Sequence, residues 1–512
     1  MKILLVNPRV PQTYFSIERV LKMIRKKAMS PPLGLLTVAS LLPQEWDLKL
    51  VDLNVRDLTD HDWREADLVF VTGMAVQGSG ILNVIRESKK RGKVVVAGGP
   101  LAFHFPEWLI EAGADLVVKG EAEVTMAGLL DHLGREDYGR VVTATELADM
   151  TASPPPRFDL LDQEAYTDRS IQFTRGCPFK CEFCDVTHML GRRVRAKTTD
   201  QIISELDILY ESGWRRNVFF VDDNFIGHVG KAKDLLQGLI GWMEERKYPF
   251  EFITQASVNL GADDVLLDLM VRAGFTHVFL GIETLDEESL KEAKKNQNRG
   301  VDLNEVCRKI NRAGLHIIAG FIIGFDNESP GADRRFIDFA DRNSIPEMVV
   351  TPLQAGPGTD LWKRLSQEGR VTEQALDDNM GSQTGLPNFM TTRPLEEIVQ
   401  EYMRIFEILY DRERFLDRTF AHFAHMKKRP FRKGFALPYA YELRGLAIIL
   451  FRQGVLYKTR WKFWNYLFKA LTRFPARLPQ FLGACIQSEH YFDYRQTIIN
   501  QCLAKLRELR QS

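Results

Sequence analysis

Short apolar runs, rich in Val, Ile and Leu, alternate with helix-like stretches over the first three quarters of the chain, and then the runs stop. Ile3 to Val6, Leu48 to Val51, Leu68 to Thr72, Val94 to Ala97 and Leu116 to Val118 predict five strands. Their alternation with helices argues for a parallel sheet wrapped on both faces, a doubly wound, Rossmann-like α/β domain over 1–145. A second series, Ile171 to Thr174, Val218 to Val221, Phe250 to Gln255, His277 to Ile282, His316 to Ile323 and Met348 to Pro352, predicts a six-unit, incomplete β/α barrel over 171–385. Between them, 146–170 contains Thr151-Ala-Ser-Pro-Pro-Pro-Arg157, where three successive prolines fix φ and remove donors, so a stiff linker is expected. From 386 to 512 only helical periodicity remains, and a mainly α-helical domain is expected.

In such folds ligands sit at the carboxyl ends of the strands. Small and polar residues collect there in both series. In the first they are Asn7-Pro8, Thr72-Gly73-Met74, Gly98-Gly99-Pro100 and Lys119-Gly120-Glu121. In the second they are Asp222-Asp223-Asn224, Thr254-Gln255-Ala256-Ser257, Gly281-Ile282-Glu283 and the stretch Gly320 to Gly324. No G-x-G-x-x-G follows the first strand, which speaks against a dinucleotide. Asp222 and Asp223 could also cap the next helix, and Glu283 could begin one.

Composition narrows the class. The chain has 512 residues, too many for one core, and 45% hydrophobic with 27% charged residues is that of a globular protein. Lys+Arg and Asp+Glu both number 68, so the average charge points to no nucleic acid. The opening Met-Lys-Ile-Leu-Leu-Val-Asn-Pro is too short an apolar run for a signal peptide, and no run of about 18 apolar residues would span a bilayer. Six cysteines do not make a disulfide framework in a chain this long, so a reduced, cytoplasmic setting is expected.

Three of those cysteines, Cys177, Cys181 and Cys184, stand at C-x3-C-x2-C spacing just after the first strand of the second series. Three such thiolates can each hold one iron of a four-iron cluster and leave the fourth iron open, whereas zinc sites usually add a second pair downstream. Cys307, Cys485 and Cys502 are isolated. The motif, with Phe183 as the aromatic before the last cysteine, resembles the radical S-adenosylmethionine (SAM) superfamily. That resemblance implies a [4Fe-4S] cluster that chelates SAM and splits it to a 5′-deoxyadenosyl radical. It also implies an acceptor for the SAM ammonium, Asp222 or Asp223, standing where the family usually has Gly-Gly-Glu. Glu283 or Ser257 is placed for the ribose, and Gly320, Ile322 and Gly324 with Phe183 for the adenine.

The first domain resembles the cobalamin-binding domain that precedes the radical SAM barrel in one large subfamily. Ser30-Pro31-Pro32-Leu33-Gly34-Leu35 carries the likeness together with the Gly-rich turns. It implies cobalamin contacts at Asn7, Pro32, Gly34, Thr72, Gly73, Met74, Gln77, Gly98, Gly99, Gly120 and Glu121. The Asp-x-His-x-x-G motif of methionine-synthase-like domains is absent. His61, in Asp60-His61-Asp62-Trp63, lacks that spacing, so the lower face of the cobalt is expected to meet the loop Thr72 to Gln77 with no histidine ligand. Past the cysteine loop, Arg192, Arg193, Arg195 and Lys197 follow as a basic run, either a solvated surface or a contact to cobalamin side chains or to a negative substrate group.

From Arg412 to Gln480 there are 16 Lys or Arg against 3 Asp or Glu, interleaved with Trp461, Phe463, Trp464, Tyr466, Phe468 and Phe474. This reads either as a helical cap with snorkelling lysines or as a surface lying on the inner face of an anionic membrane. The order of the whole chain, with Phe220 to Gly227 and the helical tail, resembles the subgroup of the hopanoid C-2 methylase and the bacteriochlorophyll side-chain methylases. The resemblance implies a cobalamin-dependent radical SAM methyltransferase acting on an unactivated carbon, with an apolar small-molecule substrate and an electron donor such as ferredoxin or flavodoxin. A ring-forming or rearranging cobalamin enzyme is the alternative. No general base can be named.

Overall fold

In the computed structural model, residues 1–372, 385–427 and 440–511 are described. The segment around the expected end of the barrel, 373–384, and four basic tail residues, Lys428, Arg429, Arg432 and Lys433, lie outside them.

The first sheet has six parallel strands: β1 (Lys2–Asn7), β2 (Asp47–Asp52), β3 (Leu68–Thr72), β4 (Val94–Gly98), β5 (Leu116–Lys119) and β6 (Arg140–Thr143), in the order β2-β1-β3-β4-β5-β6. Successive side chains of a strand point to opposite faces, and here both faces are covered. Leu4, Val6, Val69, Val71, Val95 and Ala97 join one apolar cluster, while Ile3, Leu5, Leu68, Phe70 and Val96 join another on the far side. Burial on both faces explains why these strands read as unbroken apolar runs. β6 escaped prediction because only Val142 of its four residues is buried.

The linker is no exposed spacer. Ala148, Met150, Phe158, Leu161 and Tyr166 are all buried. Arg157 donates its backbone N–H to the Leu36 carbonyl at 3.1 Å, and the Ser40 hydroxyl reaches the Pro155 carbonyl at 2.6 Å. The proline run is therefore held along the helix Leu33–Leu41.

The second sheet is also six-stranded and parallel: β7 (Arg169–Ile171), β10 (Asn217–Phe220), β11 (Glu251–Ala256), β12 (Phe275–Glu283), β13 (His316–Ile323) and β14 (Glu347–Pro352). Its order, β14-β13-β12-β11-β10-β7, leaves β7 and β14 at opposite edges, so the barrel stays open. The expected first strand splits: after β7 the chain forms β8 (Thr174–Arg175), paired antiparallel with β9 (Arg195–Ala196). This two-residue ribbon brackets the cysteine loop.

The tail is helical, as expected. Helix Leu395–Leu409 packs on helix Ala332–Arg342 and on the 32-residue helix Leu478–Leu509. Tyr14, from the first loop, stacks on Tyr491 at 4.5 Å between ring centroids, and Tyr410 donates its hydroxyl to the Met348 carbonyl at 2.6 Å. The start of the chain, the last barrel strand and the tail thus share one core.

Candidate active site

The cysteine loop begins at a backbone position only glycine fits. Gly176 has φ +90°, and a Cβ there would lie 2.9–3.1 Å from the carbonyls of Arg193, Gly191 and Leu190. Cys177 then donates its N–H to the Gly191 carbonyl, and Glu182 donates its N–H to the Ala293 carbonyl at 2.9 Å. All three cysteines of the loop are free and half-buried, whereas Cys307, Cys485 and Cys502 are buried in the apolar core. Burial raises the Cys177 and Cys184 thiols, and the Cys181 charge raises both further. Among the described residues no group of three His, Cys, Asp or Glu gathers closely enough for a single metal ion.

A buried cation stands beside the thiols. Burial disfavours the charge of Lys295, but Glu283 at 2.8 Å, with Cys181 and Cys184 nearby, outweighs that and pushes its pKa up. Glu283 adopts φ +68°, a left-handed conformation that costs a non-glycine residue of the order of 1–3 kcal/mol. The expected ribose carboxylate is thus already spoken for by an ammonium. Gln297 donates its amide to Cys181 Sγ at 3.6 Å.

The Asp pair divides. Asp222 is wholly buried and accepts from the backbone N–H of Phe173 at 3.3 Å and from the N–H and hydroxyl of Thr174. It fixes the turn from β7 into β8, and both of its carboxylate oxygens accept from the chain's own donors. Burial pushes its carboxyl up to about 7. Asp223 differs: its Oδ2 is buried and has no partner, and burial followed by the Asp185 charge pushes the carboxyl up to about 6. Neither caps the next helix, Val229–Glu245, where His228 does so. Nor does Glu283 begin a helix; Asp286 caps Glu287–Glu292. Asn224 reaches Ser257, donating to its hydroxyl at 3.1 Å and accepting its N–H.

Further along the edge, Phe183 meets Phe325 edge-on at 6.1 Å and packs with Ile322 against a cluster that includes Leu353 and Ala355. Gly320 lies on the Phe279 ring, where a Cβ would come within 2.5 Å, and Gly324 donates its N–H to Glu328 at 2.8 Å. Buried acceptor oxygens without a donor gather at this mouth: Asp223 Oδ2, Gln297 Oε1 and Asn298 Oδ1. An unmet buried polar atom costs about 1–3 kcal/mol, and these oxygens beside the thiols can accept from a cationic or donor-bearing ligand.

The first sheet's edge is built otherwise. Asn7 donates to Asp52 at 3.0 Å, Gln77 donates to the Pro8 carbonyl at 2.6 Å, and the Met74 N–H is taken by Gln77 Oε1. Thr72 donates to the Gly98 carbonyl at 3.0 Å, and Gly99 (φ +86°) lies so close that a Cβ would fall 2.1 Å from the Thr72 hydroxyl. Gly73 is likewise closed in by Gln77 and Ile81, and Gly120 by Ala144. Around this rigid edge the helix start at Pro32 and the backbone at Gly34 are open, with nothing within 4 Å of a Cβ at Gly34, and Met74 is 61% exposed. A largely backbone shelf, on which Asn7, Thr72 and Gln77 are bonded within the chain and the buried Ser30 hydroxyl has no partner, fits a large flat macrocycle. His61 pairs with Glu65, which binds Lys2 at the opposite end of the sheet.

Glu121, at the end of the same edge, is engaged across the domain boundary. It is buried and ion-paired to Arg175 at 2.8 Å and Arg195 at 2.7 Å, while Glu123 takes the other arm of Arg175 at 2.9 Å. The pair clamps the first domain onto β8 and β9. The basic run is split accordingly: Arg195 serves that clamp, Lys197 is buried against Glu205, and only Arg192 and Arg193 are exposed. A second bridge, absent from the sequence reading, joins His104 to Asp185 at 3.1 Å, beside His188 and Phe103. Its parts are 81 residues apart, and only the adjacency of Asp185 to Cys184 hinted at it.

Three family descriptions match the chain in order: a B12 binding domain over 24–130, the radical SAM superfamily over 171–340 and a domain of unknown function over 359–503. An uncharacterized methyltransferase of Synechocystis is 45% identical over 99% of this chain and 94% of its own length. The hopanoid C-2 methylase of Rhodopseudomonas palustris is 34% identical over 83% and 80%. The chain belongs to the cobalamin-binding radical SAM methyltransferases. Its cofactors are accordingly a [4Fe-4S] cluster, SAM and cobalamin. The fold is shared with the methyltransferase TsrM of Kitasatospora setae, solved with cobalamin and a [4Fe-4S] cluster, at TM-score 0.64 and 15% identity over 95% of this chain and 99% of that one.

Proposed function

We propose that the protein transfers a methyl group from SAM, by way of cobalamin, to an unactivated carbon of an apolar polycyclic small molecule. The observation that carries the reading is the coincidence, at one barrel mouth, of three free half-buried thiols with a buried carboxylate oxygen that lacks a donor. Similarity to the hopanoid C-2 methylase supports the substrate class. When bound, the cluster supplies the electron that splits SAM, and cobalamin carries the methyl group between donor and acceptor.

The chain's own residues hold these groups. Cys177, Cys181 and Cys184 would hold the cluster through their thiolates. Asp223 accepts the SAM ammonium, a charge-assisted bond. Phe183, Ile322 and the Gly320–Gly324 backbone bed the adenine. Ser257, held by Asn224, faces the ribose, while Glu283 keeps Lys295 charged beside the sulfurs. The first sheet's edge, at Asn7, Pro32, Gly34, Thr72 to Met74, Gln77 and Gly98-Gly99, carries cobalamin. The Glu121 and His104 bridges hold that edge against the barrel. A reductant such as ferredoxin or flavodoxin supplies the electron.

Anaerobic incubation with SAM, cobalamin, a low-potential reductant and a candidate polycyclic substrate tests the reading. Methyl transfer yields S-adenosylhomocysteine together with 5′-deoxyadenosine and a product heavier by one methylene. Deoxyadenosine alone would instead indicate a cyclisation or rearrangement.

A further inference from the structure

Helix Arg460–Arg473 carries two apolar stripes. The inner one, Phe463, Leu467 and Ala470, is buried in the tail's core. The outer one, Trp461, Trp464, Phe468 and Leu471, repeats at spacings of three and four and faces solvent, Trp461 at 75% and Phe468 at 68% exposure. The preceding helix, Ala440–Phe451, and the turn after it add a second stripe, Leu443, Phe451 and Val455, with Leu456 beside it. The stripes meet where Trp464 donates its indole N–H to the Gly454 carbonyl at 2.9 Å. Eight of the nineteen large hydrophobic side chains that are exposed among the described residues fall in this one span, whereas the rest are scattered. A contiguous patch of that kind marks an interaction surface.

Its border says what it meets. Lys458, Arg460 and Arg473 are exposed and make no ion pair among the described residues, and Arg460 lies over the Trp461 ring. The only acidic residue between 440 and 475 is Glu442, which is paired to Arg216. The opposite side of the helix is anchored, Lys462 to Glu413 and Asp417 and Tyr466 to Asp417, so the patch is presented preformed. A second copy docking face to face would set cations against cations. We infer that this face docks in the plane of an anionic lipid bilayer, with the Trp and Phe rings in the headgroup region and the cations on the lipid charges. No described helix is long and apolar enough to cross a membrane, so the attachment is peripheral. The inference rests on surface chemistry alone and stands whatever the substrate.

Co-sedimentation of the full chain with vesicles tests it, using phosphatidylcholine alone or mixed with phosphatidylglycerol. The wild type pellets with the mixed vesicles and loses binding as salt rises. Neutralising a charge weakens binding about 5-fold, so Lys458→Gln with Arg460→Gln weakens it about 25-fold. Trp461→Ser with Phe468→Ser abolishes it while the thermal midpoint and cluster content stay unchanged. Absence of wild-type binding, equal binding to both vesicles, or undiminished binding by both variants would overturn the inference. So would a dimer in sedimentation velocity that Phe468→Ser dissolves, which would put a second copy on this face.

Discussion

The two parallel sheets have the same strand count and both place small residues at their carboxyl ends, yet they finish those ends in opposite ways. In the first, side chains satisfy one another: Asn7 with Asp52, Gln77 with Pro8 and Met74, Thr72 with Gly98. In the second, buried acceptors are left without donors at Asp223, Gln297 and Asn298, beside free thiols. A macrocycle that brings its own ring of metal ligands needs only a shaped backbone. A sulfonium and an iron cluster need ligands and countercharge from side chains. The difference in polar satisfaction therefore separates a shelf from a coordination site within one chain.

The largest effect that sharpens this contrast is expected at the thiols. Cys181→Ala removes the iron–sulfur absorption and drops deoxyadenosine formation to background, with cobalamin binding retained. The Asp pair comes next. Asp223→Asn removes a charged hydrogen bond worth roughly 1.5–3 kcal/mol, so SAM binding weakens about 10-fold or more while the thermal midpoint holds. Asp222→Asn does the reverse, because its carboxylate takes both backbone donors of the β7–β8 turn; stability falls by about 1–3 kcal/mol. If both variants lost only stability, the contrast would fail at its key residue.

On the first sheet, Gly99→Ala forces a Cβ onto the Thr72 hydroxyl at φ +86°. Cobalamin retention on a desalting column is lost, with destabilisation of about 1–3 kcal/mol, while the cluster still assembles in the barrel. The smallest effect lies at the barrel floor. Burial lowers His422 well below the ordinary imidazole value, helped by the neighbouring His316 and His277. The unfolded chain therefore takes up the proton first. Stability is full above about pH 6.5 and falls as pH drops below it, a loss that His422→Gln removes in thermal melts across that range.

The strands were legible because buried parallel strands are apolar without interruption, and the cysteine spacing was legible because a cluster loop is local. What escaped was long-range pairing. β6 has one buried residue, so it carries no apolar run. Glu121 looked like part of a ligand turn, but its partners Arg175 and Arg195 lie 54 and 74 residues away. Lys295 lies in a polar stretch, Lys294 to Arg299, that carries no apolar signal of burial, yet the fold buries it beside the thiols. Asp222 and Asp223 are indistinguishable in sequence, and only the turn that one of them holds tells them apart.

The most direct measurement is Mössbauer spectroscopy of the anaerobically reconstituted wild type, with and without SAM. A [4Fe-4S] signal in which SAM shifts one iron away from the other three, lost in Cys181→Ala, is the predicted result. A spectrum that SAM leaves unchanged, or a cluster that survives replacement of Cys177, Cys181 and Cys184 together, would contradict the account.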